Sequence, residues 1–311
     1  MTGKIYQNIP DSVGMNVFQA DPAMADLLRI YLPPAILPTA LAEAGRMGAL
    51  VGDRLEELAL RADQNPPVLH IRARNGAPDE RIEKHPAYVA LEDVAFGQFG
   101  LAAMSHRAGV FGIDAKLPPL VKYALVYLFV QAEFGLCCPL SMTDSLTRTL
   151  RKYGDEKLVA KYLPKLLAMD FDSAVQGSMF MTEQAAGSDI SNTLTMAYPQ
   201  EDGSWRLYGE KWFCSNPDAG FGMVLARVEG GPPGMKGISL FLLPRQLDDG
   251  STNHYTIVRL KDKMGTRSMA SGEIRMEGAV AYLVGEQGRG FAQIADMVNN
   301  SRLSNGMRSA G

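Results

Sequence analysis

The sequence predicts an α+β chain of more than one domain. A helical N-terminal domain covers 1–170, a β-barrel or sandwich covers 171–285, and the opening helix of a further helical domain covers 286–311. Three observations carry this. Apolar residues recur at helical spacing up to about Met169. From Asp170 the pattern becomes short apolar runs separated by turn residues. After Gly290 helical spacing returns, with Phe291, Ile294, Ala295, Val298 and Leu303 roughly on one face. At roughly 150 residues per domain the length of 311 makes about two domains, enough to bury a core without staples.

Each element has its own reason. A helix over 22–31 has Pro near its start and Met24, Leu27, Leu28 and Tyr31 at helical spacing. A second over 40–62 is rich in Ala, Leu, Glu and Arg, and Asn65-Pro66-Pro67 ends it. Further helical pieces are predicted over 86–96 and 100–109. The segment 119–134 is apolar on most sides, so it is predicted as an interior helix. Another helix spans 141–153 with Ser141 as its cap. The amphipathic helix over 155–169 contains Pro164, which is expected to kink or restart it. Strands are predicted over 174–182, 194–198, 205–208, 221–228, 238–243, 255–260 and 272–276, with Glu201-Asp202-Gly203 as a hairpin turn.

Composition excludes several classes of function. The net charge of −3 argues against a globally basic nucleic-acid binder. A hydrophobic content of 46% with 21% charged residues excludes disorder as the main state. Three cysteines do not make a disulfide framework, and four scattered histidines without HExxH or CxxC give no zinc site. The N-terminal residues show no apolar leader core. The most apolar stretch, 117–140, is interrupted by Lys122, Gln131 and Glu133, so it reads as a buried helix and not a membrane span. A reducing, cytoplasmic location is the expectation. The sequence stops at Ser309-Ala310-Gly311 without a breaker cluster, so the chain is expected to be cut from a larger architecture or to need a partner.

Three motifs stand out. Gly285-Glu-Gln-Gly288-Arg-Gly290 has the spacing GxxGxG and no βαβ unit around it, so it reads as a domain-joining turn and not a dinucleotide loop. The run from Gly177 through Met179, Met181, Thr182, Gly187 and Ser188 to Asp189 is a strand ending in a polar turn. Its N–H groups and hydroxyls suit phosphate or the edge of a polar heterocycle. The run Gly209-Glu-Lys-Trp-Phe-Cys-Ser-Asn216 sits on a strand. Alternation puts Lys211, Phe213 and Ser215 on one face and Trp212 and Cys214 on the other. Phe213 offers a stacking surface and Ser215 a hydrogen bond to a flat heteroaromatic ligand. Each run, taken alone, also occurs in ordinary β-domains.

Together and in this order, the motifs resemble the acyl-CoA dehydrogenase family of flavoproteins. Tyr162-Leu163-Pro164-Lys165-Leu166 is similar to the helix before that family's β-domain, and Gly288-Arg-Gly290-Phe291 followed by Ser301-Arg302 to the entry into its C-terminal helical domain. Asn65-Pro66-Pro67, His85-Pro86-Ala87, Cys138-Pro139-Leu140-Ser141-Met142-Thr143 and Leu260-Lys261-Asp262-Lys263-Met264-Gly265 resemble the AidB branch, associated with the adaptive response to alkylation. Gln184 follows Thr-Glu, as in that branch, where other members have Pro.

The resemblance implies an acyl-CoA dehydrogenase-like fold and FAD as cofactor. It places Met179, Met181 and Thr182 against the flavin ring, Gly187 and Ser188 near the pyrophosphate, and Phe213, Cys214 and Ser215 on the second flavin-contacting strand. Arg302 falls near the acyl-CoA thioester or a subunit interface. The implied reaction is α,β-dehydrogenation, which needs a carboxylate base within reach of the α-proton. At the position before Arg302 the chain has Ser301, which cannot serve; the family's other position falls beyond Gly311. No catalytic residue is therefore assigned, and the chain alone is expected to be inactive and to lack most of the C-terminal helical domain. A homo-oligomer is implied for the full-length form; the electron acceptor and acyl chain stay open. The alternatives are a DNA-protective flavoprotein with vestigial activity and a non-catalytic assembly module. From 251 to 311, eight Lys and Arg face five Asp and Glu, a weak footprint for DNA.

Overall fold

The computed structural model describes residues 13–311, so most of the segment examined for a leader lies outside the described residues. Helix α1 (Val17–Ala20) leads into α2 (Pro22–Tyr31), where the Asp21 carboxylate accepts the Ala23 N–H at 3.0 Å and Pro22 occupies the first turn. Helix α3 (Leu37–Leu50) continues through one π-helical stretch, Val51–Leu55, into α4 (Glu56–Gln64), and ends before the two prolines.

Next comes a hairpin that the helical reading of this half did not contain. Strands β1 (Val68–Arg72) and β2 (Pro78–Glu83) pair antiparallel, and Gly76 takes φ +84° in the turn. Both strands are half-exposed; β1 interrupts its apolar residues with His70 and Arg72, and β2 is mostly charged, so no apolar alternation marks them. Helix α5 (Pro86–Glu92) is capped by His85, whose Nδ1 accepts the Ala87 N–H at 3.2 Å. The predicted helix over 100–109 is instead a run of tight turns, bracketed by Gly100 and Gly109 at φ +56° and +89°. Helix α6 (Pro119–Phe129) ends earlier than predicted, and the chain turns over 130–136.

Helix α7 (Cys137–Tyr153) starts four residues before the expected cap. Ser141 is inside it, its hydroxyl donating back to the Cys138 carbonyl at 3.0 Å. The entry is held by Glu133, whose carboxylate accepts the Leu136 N–H at 3.0 Å. Helix α8 (Glu156–Leu166) is capped by Asp155 and runs through Pro164 without a restart, ending two residues later.

The second half is a barrel. Its strands are β3 (Gly177–Phe180), β4 (Met196–Pro199), β5 (Trp205–Ser215), β6 (Phe221–Val228), β7 (Ile238–Pro244), β8 (Tyr255–Leu260) and β9 (Ser271–Val284). The pairings β6–β4, β4–β5, β5–β9, β9–β7 and β7–β6 close a ring. Strand β3 adds in parallel to β6, and β8 adds to β9. Cys214, Val224, Phe241, Leu243 and Ile274 fill the interior. The other faces of β6 and β7 present Met223, Leu225, Leu240 and Leu242 to a second core with Leu146, Leu150, Tyr162 and Ile294 from the helices. Burial on both faces explains why these two strands read as unbroken apolar runs.

Helix α9 (Gly290–Ala310) follows the Gly285–Gly290 turn. Its buried face is Gln293, Ile294, Met297, Ser304 and Arg308, while Phe291 and Leu303 are exposed, so the predicted stripe is rotated. Gly290 sets the rotation: a Cβ there would lie 2.4 Å from the Ser239 carbonyl carbon, so the helix backbone rests directly on β7. Among the described residues no helix is long and apolar enough to cross a membrane.

Candidate functional site

The ends of β3 and β5 meet on the outside of the barrel. The Trp212 N–H donates to the Thr182 carbonyl at 2.7 Å and ties the two motif runs together. Beneath them lies a buried ion pair. Lys211 is fully buried, and its ammonium donates to Glu183 Oε1 at 2.6 Å. The same carboxylate accepts the Leu194 N–H at 2.6 Å, the Thr195 N–H at 3.1 Å and the Thr195 hydroxyl at 2.6 Å. Burial pushes the Glu183 pKa up, but the Lys211 charge and these hydrogen bonds outweigh it, and the carboxyl is held below its ordinary range. The pair fixes the start of the 183–195 loop. In the sequence Lys211 follows Glu210 and precedes Trp212, so no apolar run marked it as buried.

The predicted alternation of β5 fails at the site. Lys211 pairs with Ile274 and Cys214 with Gly272, so Trp212 and Phe213 together oppose a single residue of β9. This is a bulge. It turns Lys211 and Cys214 both inward and leaves Phe213 64% exposed at φ +55°, a left-handed backbone that costs a bulky residue about 1–2 kcal/mol. Asn216, three residues on, has φ +54°. Such strain persists only where the surroundings over-determine it, and it clusters at functional sites. Here it projects an aromatic ring from the barrel wall. The Lys261 ammonium lies 4.4 Å from the Phe213 ring centroid and 4.8 Å from that of Trp212.

The other residues singled out from the sequence are distributed around this ring. Met179, Met181 and Thr182 are half-buried along and just beyond β3. Gly187 and Ser188 lie on an exposed turn, with nothing within 4 Å of where a Gly187 Cβ would stand. Ser215 reaches the Cys138 thiol of α7, and burial raises that thiol's pKa. Lys263, not singled out from the sequence, donates to the Met269 carbonyl at 2.6 Å and Ser271 Oγ at 3.0 Å; burial lowers its pKa to about 8. Cys214 stands apart. Its side chain is fully buried in the barrel core, and burial pushes its pKa up to about 12, so only its backbone can face a ligand outside the wall. Arg302 is exposed on α9 and, among the described residues, has no hydrogen bond or ion pair to the others. A projecting ring, half-buried hydroxyls beside it and an open turn suit a flat heteroaromatic group with a phosphate tail.

Comparison with known proteins agrees with the arrangement. Residues 8–173, more than half the chain, match the model of the adaptive response protein AidB N-terminal domain, and 178–279 match the acyl-CoA dehydrogenase middle domain. Acyl-CoA dehydrogenase family member 11 of Caenorhabditis elegans is 30% identical over 304 residues, covering 95% of this chain and 49% of that protein. The putative acyl-CoA dehydrogenase AidB of Escherichia coli (strain K12) is 32% identical over 258 residues, covering 79% of this chain and 45% of that protein. The crystal structure of Caenorhabditis elegans ACDH-11 in complex with C11-CoA superposes with a TM-score of 0.88 at 29% identity, over 99% of this chain and 52% of that one. The butyryl-CoA dehydrogenase of Megasphaera elsdenii, at 21% identity and a TM-score of 0.60, shares the fold over 82% of this chain and 63% of its own. The chain thus spans about half the length of the curated relatives it matches. On the closed barrel, the helical half and the ordered matches across both, the chain belongs to the acyl-CoA dehydrogenase family, in its AidB-like branch.

Proposed function

We propose that this chain carries the flavin-binding face of an FAD-dependent acyl-CoA dehydrogenase that acts on an acyl-CoA thioester. One observation supports this above the others: the β5 bulge holds Phe213 outward in strained backbone, beside Met181 and Thr182. In this reading the Phe213 ring packs on the isoalloxazine, and the hydroxyls of Thr182 and Ser215 meet its polar edge. Met179 and Met181 contribute apolar surface, and Cys214 its backbone only. The N–H groups of Gly187 and Ser188, on the open turn, take the pyrophosphate. Arg302 takes a polar part of the acyl-CoA. FAD, when bound, supplies the hydride acceptor.

The residues described here position and orient; none is assigned as the base. Ser301 precedes Arg302, and a hydroxyl without an activating partner does not remove an α-proton. As the family resemblance implies, the base is placed outside residues 1–311, and homo-oligomer formation is expected of the full-length form. The test is anaerobic addition of acyl-CoAs of graded length to the flavin-loaded full-length protein. Bleaching of the oxidised flavin band is the expected result. A flavin-loaded protein that no acyl-CoA bleaches would overturn the reading.

A further inference from the structure

One cavity lies away from the Phe213 face. It is a groove of about 700 Å³ between α6, the C-terminal half of α7 and the first half of α9. From Cys138, at the proposed flavin end of α7, to Arg148 in the groove is ten residues, about 15 Å of helix. Its floor is a buried polar network. Asp144 accepts from Lys122 Nζ at 2.8 Å and the Asn300 amide at 2.8 Å, and pairs with His106 Nε2 at 2.9 Å. On one side Asp296 is taken by Lys152 and by the Tyr153 hydroxyl at 2.6 Å.

Both carboxylates of the groove are thus already neutralised. Lys116, Arg148 and Arg151 also line it, and among the described residues none of them is in an ion pair or hydrogen bond. Neutral donors stand with them. The Ser105 hydroxyl is buried without any hydrogen-bond partner, and the Asn299 amide lines the cavity. Tyr123, Pro119 and the exposed Leu303 give one apolar wall. Lys116, Lys122, Arg148, Arg151 and Lys152 outnumber the two carboxylates, with Asp296 also feeling the Arg148 charge. This positive excess and an orphaned hydroxyl call for an anion, and an aromatic and apolar wall calls for a flat, less polar part on the same ligand. The volume is within the ordinary range for a small-molecule site, about 300–1,000 Å³.

We propose that this groove binds a phosphorylated ligand of nucleotide size, its phosphates on Lys116, Arg148 and Arg151 and its ring against Tyr123. The site is separate from the flavin face and does not rest on the reading given for that face.

The test is equilibrium dialysis of ADP and of inorganic pyrophosphate against the full-length protein saturated with FAD, which occupies the Gly187–Ser188 turn, at low and physiological salt. Saturable one-to-one binding of both is expected, weaker at higher salt. The double variant Arg148→Ala/Arg151→Ala, both away from the cores, should weaken both probes by about tenfold or more. Tyr123→Ala should weaken ADP and leave pyrophosphate unchanged. Phe213→Gly should leave both unchanged, which separates this site from the flavin face. Coenzyme A as competitor distinguishes the source: displacement of ADP marks the phosphorylated end of an acyl-CoA, and no displacement marks a free nucleotide. Absence of saturable binding, loss of ADP binding in Phe213→Gly, or affinity unchanged in the double variant would each overturn the proposal. So would duplex DNA binding through the same arginines with ADP failing to compete.

Discussion

Among single residues, Phe213 bears most directly on flavin binding. Its backbone is left-handed, its ring is largely in solvent, and Lys261 lies over it. The Phe213 ring itself adds nothing to the barrel core. Phe213→Gly removes the strain and the ring together, so stability should stay level or rise by up to about 1 kcal/mol while flavin affinity falls. Chemical denaturation checks the first half. Lys211 is the opposite case. Lys211→Met leaves the Glu183 carboxylate buried without its counter-ion, which should cost about 3–5 kcal/mol. The double variant Lys211→Met/Glu183→Gln should recover part of that loss, and a double-mutant cycle measures how much. The residue types of this site were legible in the sequence, because ring and hydroxyl chemistry follows from identity. Their directions were not. A one-residue bulge reverses every face beyond it, and no composition signal marks where β5 bulges between Lys211 and Cys214.

Among elements, α9 shows how a contact overrides a pattern. Its apolar residues suggested a stripe through Phe291 and Leu303, yet the helix buries Gln293, Ser304 and Arg308 instead. The close approach of Gly290 to β7 fixes the rotation, and helical periodicity does not register a glycine. Gly290→Ala should therefore destabilise despite the better helix propensity, by about 2 kcal/mol or more, since the added Cβ meets backbone of Ser239 and Leu240. Gly306→Ala on the same helix is the control. No atom lies within 4 Å of its added Cβ, so it should stabilise by about 0.5–1 kcal/mol. Thermal melts of the two variants should move in opposite directions. Long strands with strong patterns, such as β6 and β7, were readable for the complementary reason: they are buried on both faces. In α2 only Leu28 is buried, and Leu27 and Tyr31 of the expected stripe are exposed. The β1–β2 hairpin was missed because its strands bury little and carry charge.

Across the whole molecule, the helical half and the barrel are joined by polar contacts that bury charge. The Gln176 amide donates to Glu92 at 2.7 Å and accepts from Asn216 at 2.8 Å, Arg245 reaches Glu80 at 2.6 Å, and the Ser268 hydroxyl donates to Glu133 at 2.8 Å. Asp144 holds α6, α7 and α9 together within the helices. Burial alone would raise its pKa, but the His106 hydrogen bond and the Lys122 charge prevail and lower it from 3.8 to about 2. A carboxylate lowered on folding stabilises above its unfolded pKa and loses that contribution as pH falls through the folded value. Stability should therefore drop by about 2 kcal/mol between pH 3.8 and pH 2 on account of this group. In Asp144→Asn that part of the acid slope should vanish, with lower stability at neutral pH because Lys122 loses its partner.

The central claim is that the Phe213 face holds a flavin. It is tested most directly by titrating FAD into the purified full-length protein and following flavin fluorescence, for the wild type and for Phe213→Gly. Saturable binding in the wild type, weakened about tenfold or more in the folded variant, is the predicted result. No saturable binding in the wild type, or equal affinity in the two proteins, would contradict it.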